Sequence, residues 1–286
     1  MIHRLLTRPA PESLYWTGKS TGDHVLKWHG TAAFSLEHQQ KVAVFDPYVT
    51  RHGLWELATT RLRVDEALVQ REFPRADAVL VGHAHYDHAM EAPSVCARTG
   101  ATLYGSPSTC NIGRAAGLPE EQLFEVRPGE EFTLPHGRAV GLASQHGKVY
   151  FGRVTLPGQI PSPPPWPPRL RDLRHGQVLT WWVEWGGLRI VHVDSADYDT
   201  AALAPYQADV LCLCAIGRKY RPGYTAEIIE ALKPSVVVPC HWDHFFLPLD
   251  DPTRQLPACD VEGFVEEIRA TGVEVALLPI GASLGI

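Results

Sequence analysis

Four metal-binding side chains, His83, His85, Asp87 and His88, fall within six consecutive positions of a 286-residue chain. Imidazole nitrogen and carboxylate oxygen are donors that suit Zn²⁺, Mn²⁺ or Fe²⁺. Alternate residues of extended backbone point the same way, so His83 and His85 can share one ion while Asp87 and His88 serve a second. The run follows the apolar stretch Ala78 to Val81, which reads as a strand buried on both faces. The ends of such strands are where layered α/β folds place their sites. A run of surface histidines would have no reason to stand there.

The segment VGHAHYDH resembles the signature of the metallo-β-lactamase superfamily, and the resemblance extends over most of the chain. Further landmarks follow in the family's order: His146 in ASQHG, Asp194 in VHVDS and His241 in VPCHWDHF, each at the end of an expected strand. Upstream, KWHGTAAFSLE and VFDPY look like the opening strands of the subgroup that includes ascorbate-phosphate lactonase and N-acylphosphatidylethanolamine phospholipase D relatives. The resemblance implies a four-layer αββα sandwich and two divalent cations, Zn²⁺ first and Mn²⁺ or Fe²⁺ as alternatives. It implies that His83, His85 and His146 hold one ion, that Asp87, His88 and His241 hold the other, and that Asp194 bridges them. The family usually has glycine before the bridging aspartate. Here Val193 precedes it and Asp197 follows three residues on, which leaves two carboxylates as candidates for the bridge.

The function so implied is hydrolysis of an ester, lactone, amide or phosphodiester bond in a small molecule by a hydroxide held between the ions. Asp87 would orient that hydroxide, Asp194 or a metal-bound water would help the leaving group, and His244 could line the pocket or donate a proton. Asp46 resembles a carboxylate that orients a ligand imidazole, or else serves only as a turn residue before Pro47. His29, Lys148, Lys219 and Tyr220 are further pocket candidates. The remaining histidines, His3, His24, His38, His52, His136, His175 and His192, are expected at the surface or in structural contacts. Trp166, Trp181, Trp182, Trp185 and Trp242 could favour an apolar or acyl substrate or, as tryptophans more often do, fill the core. Two rival readings use the same motif: a mononuclear iron enzyme for sulfur oxidation, and a non-catalytic binding protein that keeps the fold.

The elements that must position these groups alternate along the chain. KWHGTAAFSLEHQQKVAVF reads as short strands broken at Gly30 and at His38 to Lys41. A partly helical stretch around Trp55 to Arg71, the Ala78 strand, a helix after the motif, the strand ATLYG and a helix capped near Ser108 follow. VLTWWVEW and LRIVHVD flank Gly186 and Gly187 as a hairpin, and ADVLCLCAI, TAEIIEALK, SVVVP, VEGFVEEIRA and VEVALLP alternate strand and helix. This is a layered α/β pattern. One domain over residues 1–286 is expected, with a proline-rich insertion at about 156–170 as a stiff excursion or a pocket wall carrying Trp166.

Hydrophobic residues at 45% and charged residues at 20% supply a core of ordinary size and exclude a disordered chain. A net charge of -6 without a dense lysine or arginine run argues against nucleic acid as a partner. Oligomeric state is left open. The opening MIHRLLTRPAPES reaches Pro9 before a signal-like apolar stretch, and no run is long enough to span a membrane, so a cytoplasmic location is expected. The six cysteines then read as reduced thiols, with Cys212 and Cys214 the one spacing that could share a metal.

Overall fold

In a computed structural model, which describes residues 8–9, 12–18, 20, 22–257 and 259–286, the strands form two seven-stranded sheets. The first contains β1 (Val25–Gly30), β2 (Ala33–His38), β3 (Lys41–Phe45), β4 (Ala78–Leu80), β5 (Thr102–Gly105), β6 (Leu123–Glu125) and, at its far edge, β14 (Ser283–Gly285). The second contains β7 (Glu131–Leu134), β8 (Gly137–Ser144), β9 (Val178–Trp185), β10 (Leu188–Val193), β11 (Val210–Cys214), β12 (Val236–Cys240) and β13 (Glu274–Val275). Their orders are β14-β1-β2-β3-β4-β5-β6 and β13-β12-β11-β10-β9-β8-β7. Each sheet is antiparallel in one half and parallel in the other: β3 to β6 run parallel in the first, β10 to β13 in the second. With the helices this is the αββα sandwich.

The parallel strands are apolar without alternation, as strands covered on both faces must be. β4, β11 and β12 are buried at every position. The β9–β10 hairpin turns on Gly186 (φ 56°) and Gly187 (φ 91°), two consecutive positive φ angles that a two-residue hairpin requires. The C-terminal helix Val261–Arg269 buries Val261, Phe264, Val265 and Ile268, and the Asp260 side chain accepts from Gly263 N at its start. The helix Pro107–Ala115 is capped by Ser106 rather than Ser108, with Pro107 in its first turn. VEVALLP contributes only the two-residue β13.

Two open readings resolve. Trp181, Trp185 and Trp242 are fully buried in the core, and none of the five tryptophans lines the cavity over the histidine cluster. The proline-rich insertion is a wall, but through Leu156 and Leu170 and not through Trp166. It is pinned in place: Leu62 N and Arg61 Nη1 donate to Pro168 O and Pro167 O, and His175 N donates to Leu156 O. Among the described residues no helix is long and apolar enough to cross a membrane. His3 and the opening seven residues lie outside the described residues.

All six cysteines are buried free thiols, and among the described residues none joins a metal-competent group, Cys212 and Cys214 included. Burial pushes their pKa upward, to about 12 for Cys110 and Cys259 and higher for Cys96, Cys212, Cys214 and Cys240. Thiolate is the reactive form. Titration with a chromogenic disulfide at pH 8 is therefore expected to find essentially no reactive thiol in the native protein and all six after denaturation; rapid native reaction would contradict this burial.

Candidate metal centre

The site forms where parallel strands end. β4 runs out at Leu80, and the extended link through Gly82 carries His83 and His85 before the short helix Tyr86–Ala89. His85 is the last extended residue (φ -68°, ψ 158°), so Asp87 and His88 fall in the first helical turn and project from a different backbone geometry. That change of conformation lets four near-neighbours address two centres. β10 delivers Asp194, β12 delivers His241 and β8 delivers His146 from the facing sheet. All seven residues line one cavity.

Three groups of donor atoms, each mutually within 4.8 Å, form a chain: His83, His85 and His146; His83, His88 and Asp194; Asp87, His88 and His241. His83 Nε2 lies 3.0 Å from His85 Nδ1, and His83 Nδ1 lies 2.5 Å from Asp194 Oδ2. Asp87 Oδ2 lies 3.8 Å from His88 Nε2 and 3.5 Å from His241 Nε2. Asp194 Oδ2 is also 3.6 Å from His88 Nδ1, so this carboxylate touches both halves of the cluster. Asp197 instead pairs with Arg221 Nε at 2.9 Å, which removes it from the choice of bridging residue.

Without a cation, His83, His85, His146 and Asp87 stand free of protons, whereas His88 and Asp194 hold protons that a cation would have to displace. Burial, reinforced by neighbouring imidazoles, holds His83 well below the ordinary histidine range, His85 at about 3 and His146 at about 4, so their lone pairs are available. Burial opposes the charge on His88, but Asp87, Asp46 and Asp194 outweigh it and raise His88 to about 9. Burial and the Asp46 charge raise Asp194. Asp87 is lowered: His88 and His241 overcome the burial penalty. His85 Nε2 and His241 Nδ1 are buried without a hydrogen-bond partner. The fit to a divalent cation comes from the donor set itself: imidazole and carboxylate atoms that converge within 4.8 Å of one another in each group.

Several residues hold these donors in place. Asp46 (φ 42°) accepts from Gly82 N at 2.7 Å and sets Oδ2 3.2 Å from His88 Nδ1 and 3.0 Å from His192 Nε2. His192, expected in a surface or structural role, is buried and steadies this carboxylate. Glu91 is wholly buried and accepts from Val49 N and Thr50 N, tying the motif helix to the loop after β3. His241 (φ 53°) donates its N–H to Thr31 O at 2.7 Å, while Thr31 N donates to Asp243 Oδ1 at 2.8 Å. The other Asp243 oxygen pairs with Arg51. His175, expected at the surface, lies with its ring centre 5.9 Å from that of His85 and 5.7 Å from that of His146.

Gly82 is required for space. A β-carbon there would stand 2.2 Å from Asp194 Oδ2, and the backbone on both sides is fixed by β4 and Asp46. Gly82→Ala is expected to displace Asp194 and lower metal affinity by about 10- to 100-fold. Competition with a calibrated chelator measures this; unchanged affinity would contradict the packing.

Other sequence candidates sit elsewhere. His244 is buried with its ring 5.7 Å from Phe246 but does not line the cavity, so a proton-donor role there has no geometric support. His29 is buried between Glu72 and Ser35. Lys219 and Tyr220 line a neighbouring cavity, and Lys148 is exposed. His24 stacks on His38 at 3.9 Å and His38 Nδ1 is 2.7 Å from His136 Nε2, a structural group beneath the β9–β10 turn. His52 Nε2 bonds Arg63 O.

Two facing mixed sheets with a histidine and aspartate cluster at their strand ends define the αββα class of metal-site proteins. Residues 25–241 match the family model described as the beta-lactamase superfamily domain, and the chain belongs to the metallo-β-lactamase superfamily. A UPF0173 metal-dependent hydrolase of Thermoplasma volcanium is 24% identical over 231 residues, covering 79% of this chain and 87% of the relative. Igni18, a metallo hydrolase from Ignicoccus hospitalis, shares the fold at TM-score 0.60 and 17% identity, over 91% of this chain and 97% of its own. An isothiocyanate hydrolase from Delia radicum gut bacteria does so at TM-score 0.59 and 16% identity, over 92% and 99%.

Proposed function

We propose that this protein is a metal-dependent hydrolase of small molecules with a two-cation centre. His83, His85 and His146 would hold one ion, Asp87, His88 and His241 the other, and Asp194 would serve both. The observation that carries this reading is the linkage of the three donor groups through shared residues, His83 in two of them and His88 in two. Zinc is the cation best suited to this donor set, with manganese or iron as alternatives. The name of the UPF0173 relative, a metal-dependent hydrolase, supports the reaction class. The hydrophobic core runs through both sheets, which supports one domain over the chain.

Divalent ions in these positions supply a water acidified toward neutrality and positive charge beside the bond to be cleaved. The chain's own groups do the rest. Asp87, held ionised, accepts a hydrogen bond from the attacking water and fixes its direction. Asp194 lies where both halves of the cluster meet, and we assign it proton transfer to the leaving group. The cavity, of about 340 Å³, matches a small substrate.

Removing metal with a chelator should abolish hydrolysis across a panel of esters, lactones, amides and phosphodiesters. Adding back two equivalents of Zn²⁺ per chain should restore it. Undiminished turnover by metal-free protein would refute the reading.

A further inference from the structure

The cavity over the cluster has a polar floor and an apolar wall. Leu54 and Leu57 reach it from the helix Leu54–Thr59, Leu156 and Leu170 from the two ends of the proline-rich insertion, and Phe245 and Phe246 from the segment after β12. Among the described residues no lysine or arginine lines it. The proposed floor cations would meet an anionic group at the reacting bond, but away from them recognition of a phosphate or carboxylate needs a lysine, an arginine or a cradle of N–H groups, and an anion pressed on hydrocarbon loses its water without compensation. The wall therefore favours uncharged, apolar surface on the ligand.

A second cavity, of about 220 Å³, adjoins the first, and the two share Val149, Tyr150 and Ile216. Phe151, 95% exposed, lines this outer cavity, and Lys219 belongs to it and not to the inner one. A chain too long for the inner cavity has an apolar path outward.

We propose that the substrate is an uncharged acyl compound, an ester, lactone or amide, whose apolar chain or ring packs on this wall, in preference to a phosphodiester, whose charge the wall cannot meet. The inference rests on the hydrolase reading and narrows it. In an ester, the oxygen of water bonds to the acyl carbon as the bond from that carbon to the alcohol oxygen breaks. The alcohol oxygen takes a proton from the water, and a carboxylic acid and an alcohol leave.

The test uses metal-loaded protein and two series. Binding of straight-chain hydroxamates from acetyl to octanoyl is measured by calorimetry, and hydrolysis is measured on p-nitrophenyl esters of the same acyl groups and on bis(p-nitrophenyl) phosphate. Each methylene buried on the wall is expected to raise hydroxamate affinity and ester kcat/KM about fourfold, compounding to roughly 200-fold from acetyl to hexanoyl. The phosphodiester should be slower than every ester. Leu170→Glu should cut the octanoyl-to-acetyl affinity ratio about tenfold or more. A chain-length slope in binding without turnover of any ester would keep the ligand class and remove the hydrolase reading. Turnover with a flat slope, or a phosphodiester cleaved faster than every ester, would overturn this inference and leave the hydrolase reading standing.

Discussion

Replacing Asp87 with alanine is expected to lower kcat/KM by on the order of 10³-fold or more and to release one cation. Asp87 is the only carboxylate in its donor group, beside His88 Nε2 and His241 Nε2. Without it those two imidazoles keep only the shared Asp194 as an anionic partner for a divalent ion, and the attacking water loses the acceptor that aims it. His83→Ala should be as severe, because His83 belongs to two of the three donor groups and contacts both His85 and Asp194. Asp46→Ala touches the ion only through His88 and should cost about 10- to 100-fold in metal affinity. Steady-state kinetics with metal analysis of each variant separate these outcomes. Full activity in both Asp87→Ala and His83→Ala would exclude catalysis at this cluster.

The second large effect is expected on stability. Asp243→Ala should destabilise the fold by about 3–5 kcal/mol. The Arg51 and Asp243 side chains are 3% and 0% exposed, so removing the carboxylate leaves a guanidinium buried without its counter-charge. The Thr31 amide loses its acceptor as well, and Thr31 O is what receives the His241 N–H. Unfolding and loss of the metal held by His241 should therefore be coupled. Urea unfolding of metal-free Asp243→Ala reads the first, and metal titration of the folded variant reads the second. A change under 1 kcal/mol would mean that the ion pair contributes little here.

What the sequence makes legible follows from how local each signal is. The four donors of the motif stand within six residues, so their convergence needs only one strand end and one helical turn. Strand and helix identities were readable because burial on both faces leaves unbroken apolar runs in β11 and β12, and because Gly186 and Gly187 mark a hairpin. His146, Asp194 and His241 are isolated in sequence, and the family resemblance, not periodicity, brought them forward.

The supporting residues were harder to see. Nothing in spacing joins Arg51 to Asp243, 192 positions apart, or Asp46 to His192, 146 apart. His192 alternates with apolar neighbours on β10, and its role becomes visible only when β10 lies opposite the turn that carries Asp46. Glu91, three residues past the motif, carries no spacing signal for its bonds to Val49 N and Thr50 N. The tryptophans fall to the core for a physical reason: large aromatic surface is consumed between the sheets, and the cavity wall is made by leucines and phenylalanines on loops and a short helix.

Anomalous X-ray scattering from crystals of the protein grown with zinc, recorded on both sides of the absorption edge, tests the metal centre most directly. The expected result is two peaks, one bounded by His83, His85 and His146, the other by Asp87, His88 and His241, with an Asp194 oxygen reaching each. A map with no peak among these side chains, or with a lone ion held by other residues, would contradict it.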